Sequence, residues 1–443
     1  KLQEADHGCV ILMEVKTGEI KAIANIGRTK DGQYKEIKNY AINELNAPGS
    51  VMKLASVMAL IDEGYCDENT LIDLEDGEHK YYDLTLKDDH KVSGSVTLAK
   101  ALEISSNVGI SKPVYKHFHK NKEAFYEKLE QFHLTKPYGL GIKGESTPIL
   151  SPVKKWSGVT LPFLSIGYEI RMTPLQVLGL YAAVANNGKL MQPHIIKEIR
   201  DNDKVIEKYE PKILNKQIAK PATIAAVRKM LEGVVDSGTA SNIRNQYYKI
   251  AGKTGTNLIA DDNKGFREKK YQASFVGYFP AQNPVYACIV VVNKPDINIG
   301  YYGSSVAAPV FKDIADRLYS TDETIHPSLK SNKDALFLST IKGLKSEIDR
   351  ISNYFDWDIL SNNVNTDMVT AIASKNKLVV KPNYYSAKSI MPSVVQLNVR
   401  DAVYLLESMG LRVVVEGKGR VKTQSVKPGE RVWKGVEVKI SLG

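Results

Sequence analysis

The chain has 443 residues, 43% apolar and 25% charged, with three cysteines and a formal net charge of +10. This balance excludes intrinsic disorder, collagen-like repeats and a disulfide scaffold over most of the length, and it leaves room for about three domains. The positive charge suits an anionic partner (a membrane surface, an acidic wall polymer or a nucleic acid), but on charge alone a plain basic surface is the simpler reading, while no run of 18 apolar residues exists to cross a membrane.

Cys9–Val15 and Ile20–Ala24 are apolar runs around Lys16-Thr17-Gly18-Glu19 and predict a hairpin. Pro48-Gly49-Ser50 opens a helix whose apolar positions Val51, Leu54, Ala55, Met58 and Ile61 share one face, with Gly64 closing it. Residues 65–95 read as loop or short strands. A second helix over Val96–Ile104 runs into Ser105-Ser106-Asn107. Helices are predicted over 174–186 and 222–235, with a hairpin between them around Asp201-Asn202-Asp203. Strands follow over Tyr247–Thr256, Ala273–Tyr278 and Val285–Val292, and a helix over Ala308–Leu318. Cys9 and Cys288 fall inside apolar strands and read as small core residues.

Residues 321–389 differ in composition. Phe337, Ile341, Leu344, Ile348, Ile351 and Phe355 alternate spacings of four and three, which predicts an amphipathic helix, and Ser361–Ala387 reads as a linker. Residues 390–443 form a small unit with a helix over Val399–Met409 capped by Gly410, strands over Leu411–Val415 and Val421–Val426, a Pro428-Gly429 turn and a final alternating strand. This unit holds nine Lys and Arg against five Asp and Glu.

Ser50 and Lys53 are three residues apart at a helix start, so their side chains share a face. A serine hydroxyl needs a base within hydrogen-bond reach, and a lysine serves once burial lowers its pKa. The helix N-terminus adds free backbone N–H groups. Ser-x-x-Lys alone recurs by chance. Here it is followed downstream by Ser105-Ser106-Asn107, and further on by Lys253-Thr254-Gly255-Thr256. Strand alternation sends Thr254 and Thr256 to one side, and Gly255 lets another backbone or a ligand approach. Three elements in this order point to one shared site.

The set resembles the signature of penicillin-binding proteins and class A β-lactamases, with Ser106 where the known middle element has Asp. Thr17-Gly18-Glu19-Ile20, Ala47-Pro48-Gly49-Ser50, Arg171-Met172-Thr173-Pro174-Leu175-Gln176 and Ser274-Phe275-Val276-Gly277-Tyr278-Phe279-Pro280 are similar to stretches of class B penicillin-binding proteins. Residues 390–443 resemble a PASTA domain through Met391-Pro392, the helix and Pro428-Gly429. A single terminal PASTA unit is similar to division-type class B proteins of Bacteroidetes-like bacteria.

The resemblance implies an α+β chain: a transpeptidase domain over 1–320, with an antiparallel sheet sandwiched by helices, then a helical segment and linker over 321–389 and a small α+β PASTA domain over 390–443. It implies a serine D,D-transpeptidase that cross-links peptidoglycan stem peptides and is acylated by β-lactams. Ser50 is then the nucleophile, Lys53 its base, Ser105 a proton relay, and Asn107 a partner of the donor peptide or of Lys53. Lys253, Thr254, Gly255 and Thr256 take the substrate carboxylate, and the N–H groups of Ser50 and Thr256 form an oxyanion hole. No metal or organic cofactor is implied. The implied partners are stem peptides, β-lactams, a glycosyltransferase and other division proteins, but no nucleic acid. The implied location is the bacterial inner membrane, reached through an N-terminal anchor upstream of Lys1, with the catalytic domain in the periplasm.

Other motifs fail on single positions. Gly252-Lys253-Thr254 would need glycine where Tyr247 stands to be a phosphate-binding loop. Gly49-Ser50-Val51-Met52 lacks the second glycine of a hydrolase elbow. His117 and His119 have no third ligand nearby in sequence. A carboxypeptidase or β-lactamase of the same fold and a wall-binding sensor or scaffold stay open as alternatives. Glu198 and Asn202, whose spacing suits a hydrolase, read as surface residues of a hairpin.

Overall fold

The computed structural model describes residues 4–261, 265–326, 340–354, 357–361, 364, 368–374, 377–382 and 390–443. The chain divides into two units, Lys1–His326 and Pro327–Gly443.

The first unit is built on a six-stranded sheet. Its strands are β1 (His7–Glu14), β2 (Ile20–Arg28), β3 (Tyr34–Lys35), β4 (Ala251–Asp261), β5 (Gly265–Phe279) and β6 (Tyr286–Asn293). They lie in the order β4-β5-β6-β1-β2-β3, and every neighbouring pair is antiparallel. The N-terminal hairpin thus sits in a sheet whose other half comes only from Ala251 onward.

Alternation along β1 feeds two cores. Cys9, Ile11 and Met13 join one apolar cluster, and Val10 and Leu12 face the other. The first cluster takes in, among other helices, α1 (Lys53–Asp62) and α4 (Pro174–Ala185). Between them in the chain lie α2 (Leu98–Glu103) and α3 (Asn107–Phe118). The second cluster packs α6 (Ala308–Thr321), through Phe311 and Ala315, against Phe275, Phe279 and Cys288, together with the end of α5 (Pro221–Asp236). The sheet is therefore covered on both faces by helices. α4 is buried along its whole length, as an apolar helix at the centre of a domain must be. Its Thr173 and Gln176 form a reciprocal capping box, which gives the Arg171–Gln176 stretch its local reason. The three cysteines are buried and unpaired.

The second unit corrects the expected helix and linker. Ile341 and Leu344 lie on a strand, Thr340–Leu344, and the helix begins only at Lys345 and ends at Tyr354. Strands over Asp358–Ser361, Met368–Ser374 and Lys377–Pro382 complete a four-stranded sheet where a linker was expected. Phe337, Phe355 and residues 383–389 lie outside the described residues. The C-terminal part has a helix over Val399–Ser408 and a three-stranded sheet in the order 412–416, 437–442, 421–424. Asn398 caps that helix by accepting from the Asp401 N–H.

Candidate active site

Ser50 lies on a 3₁₀ turn, Gly49–Met52, that runs directly into α1. Three contacts from distant segments hold this turn. The Gly49 N–H donates to the Gly167 carbonyl at 3.0 Å. The Asn257 side-chain amide donates to the Ala47 carbonyl at 2.7 Å, and the Tyr181 hydroxyl donates to the Val51 carbonyl at 2.8 Å. Gly49 has φ +58°, and a Cβ there would collide with Asn257 Oδ1. Only glycine fits both the backbone and the space.

Lys53 is fully buried. Its ammonium donates to the Ser105 carbonyl at 2.6 Å and to the Ser105 hydroxyl at 3.2 Å. Burial pulls its pKa down to about 8, against the raising effect of the Asp88 and Asp89 carboxylates. Among the described residues no hydrogen bond joins Lys53 to Ser50; the Lys53 ammonium bonds to Ser105.

Ser105 has φ +60°, a left-handed conformation that costs a non-glycine residue of order 1–3 kcal/mol. The segment that holds it there begins at Ser106. The Ser106 hydroxyl accepts from the Gly109 N–H at 2.8 Å as the cap of α3 and donates to Asp88 at 2.6 Å. The other Asp88 oxygen accepts from the N–H groups of Asn107 and Val108. Asp88 thus satisfies the free amides of a helix N-terminus with a buried carboxylate. Asn107 turns its side-chain amide to the Lys87 carbonyl at 2.7 Å and makes no hydrogen bond to Lys53 among the described residues. Of the two partners expected for Asn107, the donor peptide or Lys53, no hydrogen bond meets the second: α3 starts at Asn107, its side-chain amide goes to the 87–88 segment, and Asn107 is not among the cleft-lining residues.

The third element is β4, the edge strand of the sheet, so part of its backbone faces away from β5. Thr254 Oγ1 lies 2.8 Å from Thr239 Oγ1, and Thr256 Oγ1 accepts from the Gly303 N–H at 3.0 Å. Gly255 is packed tightly: a Cβ would collide with Ser274 Oγ and meet Val51 at 3.1 Å. Its absence lets β4 lie against the Ser50 turn. Lys253 is buried, and its ammonium donates to the Thr254 carbonyl at 3.1 Å. Burial holds its pKa well below the ordinary lysine value, and the Lys53 charge lowers it further.

Ser50, Ser105, Thr254 and Thr256 all line one cleft of about 550 Å³. Lys53 and Lys253 are buried behind this lining. The arrangement offers a hydroxyl nucleophile, a lysine with a lowered pKa bonded to a second hydroxyl, and a threonine-lined strand edge: the parts of an acyl-transfer site.

Several cleft residues carried no sequence signal. Asp88 and Asp89 line it from one loop, Thr239 and Tyr302 from two others, and Ser304 from the short helix Gly303–Val306. Tyr271, Tyr301 and Tyr302 stack in series, with ring centroids 4.3 and 4.4 Å apart. Glu198 and Asn202 sit on the hairpin of strands Glu198–Asp201 and Lys204–Lys208 and do not line the cleft. His117 stacks on Tyr65, and among the described residues no group of three His, Cys, Asp or Glu side chains is placed to hold a metal ion.

Residues 8–316 match the family described as the penicillin binding protein transpeptidase domain, and residues 389–443 match the PASTA domain. The chain is 31% identical over 336 residues to penicillin-binding protein PbpB of Mycobacterium tuberculosis, which covers 71% of this chain and 48% of that protein. It is 30% identical over 315 residues to the peptidoglycan D,D-transpeptidase FtsI of Escherichia coli, covering 70% and 50%. The chain spans about half the length of these curated relatives. The apo transpeptidase domain of Burkholderia pseudomallei penicillin-binding protein 3 superposes with a TM-score of 0.62 at 28% identity, covering 72% of this chain and 89% of that one. Penicillin-binding protein 3 of M. tuberculosis, complexed with aztreonam, gives 0.65 at 29% identity, covering 74% and 75%.

Proposed function

The chain belongs to the penicillin-binding protein transpeptidase family, and from that premise we propose that it is a serine D,D-transpeptidase that cross-links peptidoglycan stem peptides. One observation carries this reading: Ser50, Ser105, Thr254 and Thr256 line a single cleft while Lys53, its pKa lowered to about 8, is bonded to Ser105.

The Ser50 hydroxyl attacks the carbonyl carbon of the penultimate D-alanine. Neutral Lys53 takes its proton, directly or across the Ser105 hydroxyl. The N–H groups of Ser50 and Thr256 hold the oxyanion, each such donor being worth about 3–4 kcal/mol in the transition state. The peptide C–N bond then breaks. The proton passes from Lys53 through Ser105 to the leaving nitrogen, and the terminal D-alanine departs. Its carboxylate had been held by Lys253, Thr254 and Thr256, around the close approach that Gly255 permits. Incoming negative charge there favours the ammonium form of Lys253, whose pKa burial otherwise depresses. Asn107 keeps its side-chain carbonyl for the donor peptide. An amine of a neighbouring stem attacks the acyl ester, the new peptide bond forms, and Ser50 is released with its proton. A β-lactam acylates the same hydroxyl.

The name FtsI among the relatives supports a division role, with a glycosyltransferase and other division proteins as partners. The substrate places the cleft on the outer side of the bacterial inner membrane. Among the described residues no helix is long and apolar enough to cross a membrane. The test is incubation of the chain with a D-Ala-D-Ala pentapeptide and an amine acceptor. Release of D-alanine coupled to a cross-linked product supports the proposal. Release with hydrolysis alone would make the protein a carboxypeptidase.

A further inference from the structure

A second polar cavity, of about 380 Å³, adjoins the catalytic cleft along β4. Its floor is a single row across four strands. Asn257 on β4 pairs with Gln272 on β5, Gln272 with Asn293 on β6, and Asn293 with His7 on β1. Directly opposed residues of an antiparallel pair project to the same face, so all four side chains stand side by side. The three amides are buried.

Buried amides normally have their hydrogen bonds made, and here they are made only in part: the Asn257 and Asn293 NH2 groups donate to Ala47 and Glu44, while both their Oδ1 atoms have no partner among the described residues. Asn293 Oδ1 is buried without a partner, and the Gln272 side chain makes no hydrogen bond among the described residues. Glu44, by contrast, is fully engaged: both its oxygens lie 2.9 Å from His7 Nε2, and one accepts from the Asn293 amide at 3.2 Å. The cations of the lining are the reverse case. The Arg171 guanidinium has no hydrogen bond or ion pair among the described residues, and the Lys294 ammonium has only a 3.6 Å approach to Asp6. An unbonded Gln272 amide and an unpartnered Asn293 oxygen beside two under-used cations call for a peptide with a free carboxylate. The chain links this cavity to the chemistry, because Asn257 follows Thr256 directly and Ala47, also in the lining, precedes Ser50 by three residues.

We propose that this cavity binds an internal carboxylate of the peptide whose end is acylated at Ser50. Arg171 and Lys294 take the carboxylate, and Asn293 Oδ1 and the Gln272 amide take backbone groups. This rests on reading Ser50 as the nucleophile toward stem peptides.

The test is calorimetric titration of the Ser50→Ala chain with two blocked pentapeptides ending in D-Ala-D-Ala, one with a free internal carboxylate and one with that carboxylate amidated. The carboxylate form is expected to bind about tenfold more tightly, the usual scale for a charge-assisted contact. Adding Arg171→Gln and Lys294→Gln should erase the difference, and Arg171→Lys alone should keep most of it. With Ser50 intact, the double variant should still be acylated by benzylpenicillin within about twofold of wild type, which also shows that it folds. Equal affinities for the two peptides, binding of neither, or a preference that survives the double substitution would overturn the proposal. Failure of the wild type to be acylated by penicillin would instead overturn the reading of Ser50.

Discussion

The Ser106 hydroxyl donates to the buried Asp88 carboxylate at 2.6 Å, and the same carboxylate closes the N-terminus of the helix that begins at Asn107. Among the described residues neither bonds to Ser50 or Lys53, although the Asp88 charge helps to raise the Lys53 pKa against burial. Together they fix the left-handed turn that points Ser105 at Lys53. Asp88→Asn keeps the shape and loses the charge. It should cost about 1–2 kcal/mol of stability, the range for a lost cap, and, measured above pH 8 where Lys53 is neutral with or without the Asp88 charge, slow penicillin acylation more than tenfold. Thermal unfolding and stopped-flow acylation measure the two effects, and a stable variant acylated at the wild-type rate would remove Asp88 from the site.

The pKa of Lys53 sets the pH dependence. The base form is needed, so the acylation rate should climb about tenfold per pH unit below pH 8 and level off above it. Asp89 is one of the charges that hold this pKa up, so Asp89→Asn should move the midpoint to lower pH. The stability sign follows from the same shift. The folded value lies below the ordinary 10.5, so charged Lys53 opposes folding below pH 8, and that opposition fades as pH rises from about 8 towards 10.5. A pH–rate profile that is flat between pH 6 and 9 would contradict this.

Gly255 is a question of space. A methyl group there must displace Ser274 Oγ or push β4 away from Val51 on the Ser50 turn. Gly255→Ala should lower stability by about 1–3 kcal/mol and reduce the acylation rate at least tenfold. Differential scanning calorimetry with acylation kinetics checks it. Retained kinetics would mean that the turn and strand do not need this approach.

Every residue given a role here lies in the unit ending at His326. A chain truncated there should keep penicillin acylation within about twofold. A loss greater than tenfold in a folded truncation would assign part of the site to residues 327–443.

Ser50, Lys53, Ser105 and Lys253–Thr256 were legible in the sequence because each motif is local: spacing on one helix or one strand already decides which side chains share a face. Asp88 and Asp89 were not, because their importance comes from a loop folding back onto the start of α3. The direction of the Asn107 side chain was not legible either, since it depends on the helix starting at Asn107 itself. The sheet over 340–382 was hidden for a related reason. Ile341, Leu344, Ile348 and Ile351 fit a helical spacing, yet the first two pair with the strand Met368–Ser374, and periodicity over a short window cannot see a partner that lies well downstream in the chain.

The most direct test is intact-mass analysis of the wild-type and Ser50→Ala chains after incubation with benzylpenicillin. The wild type should gain the mass of one penicillin and the variant none. An adduct on both chains, or on neither, would contradict the assignment of Ser50 as the acylated nucleophile.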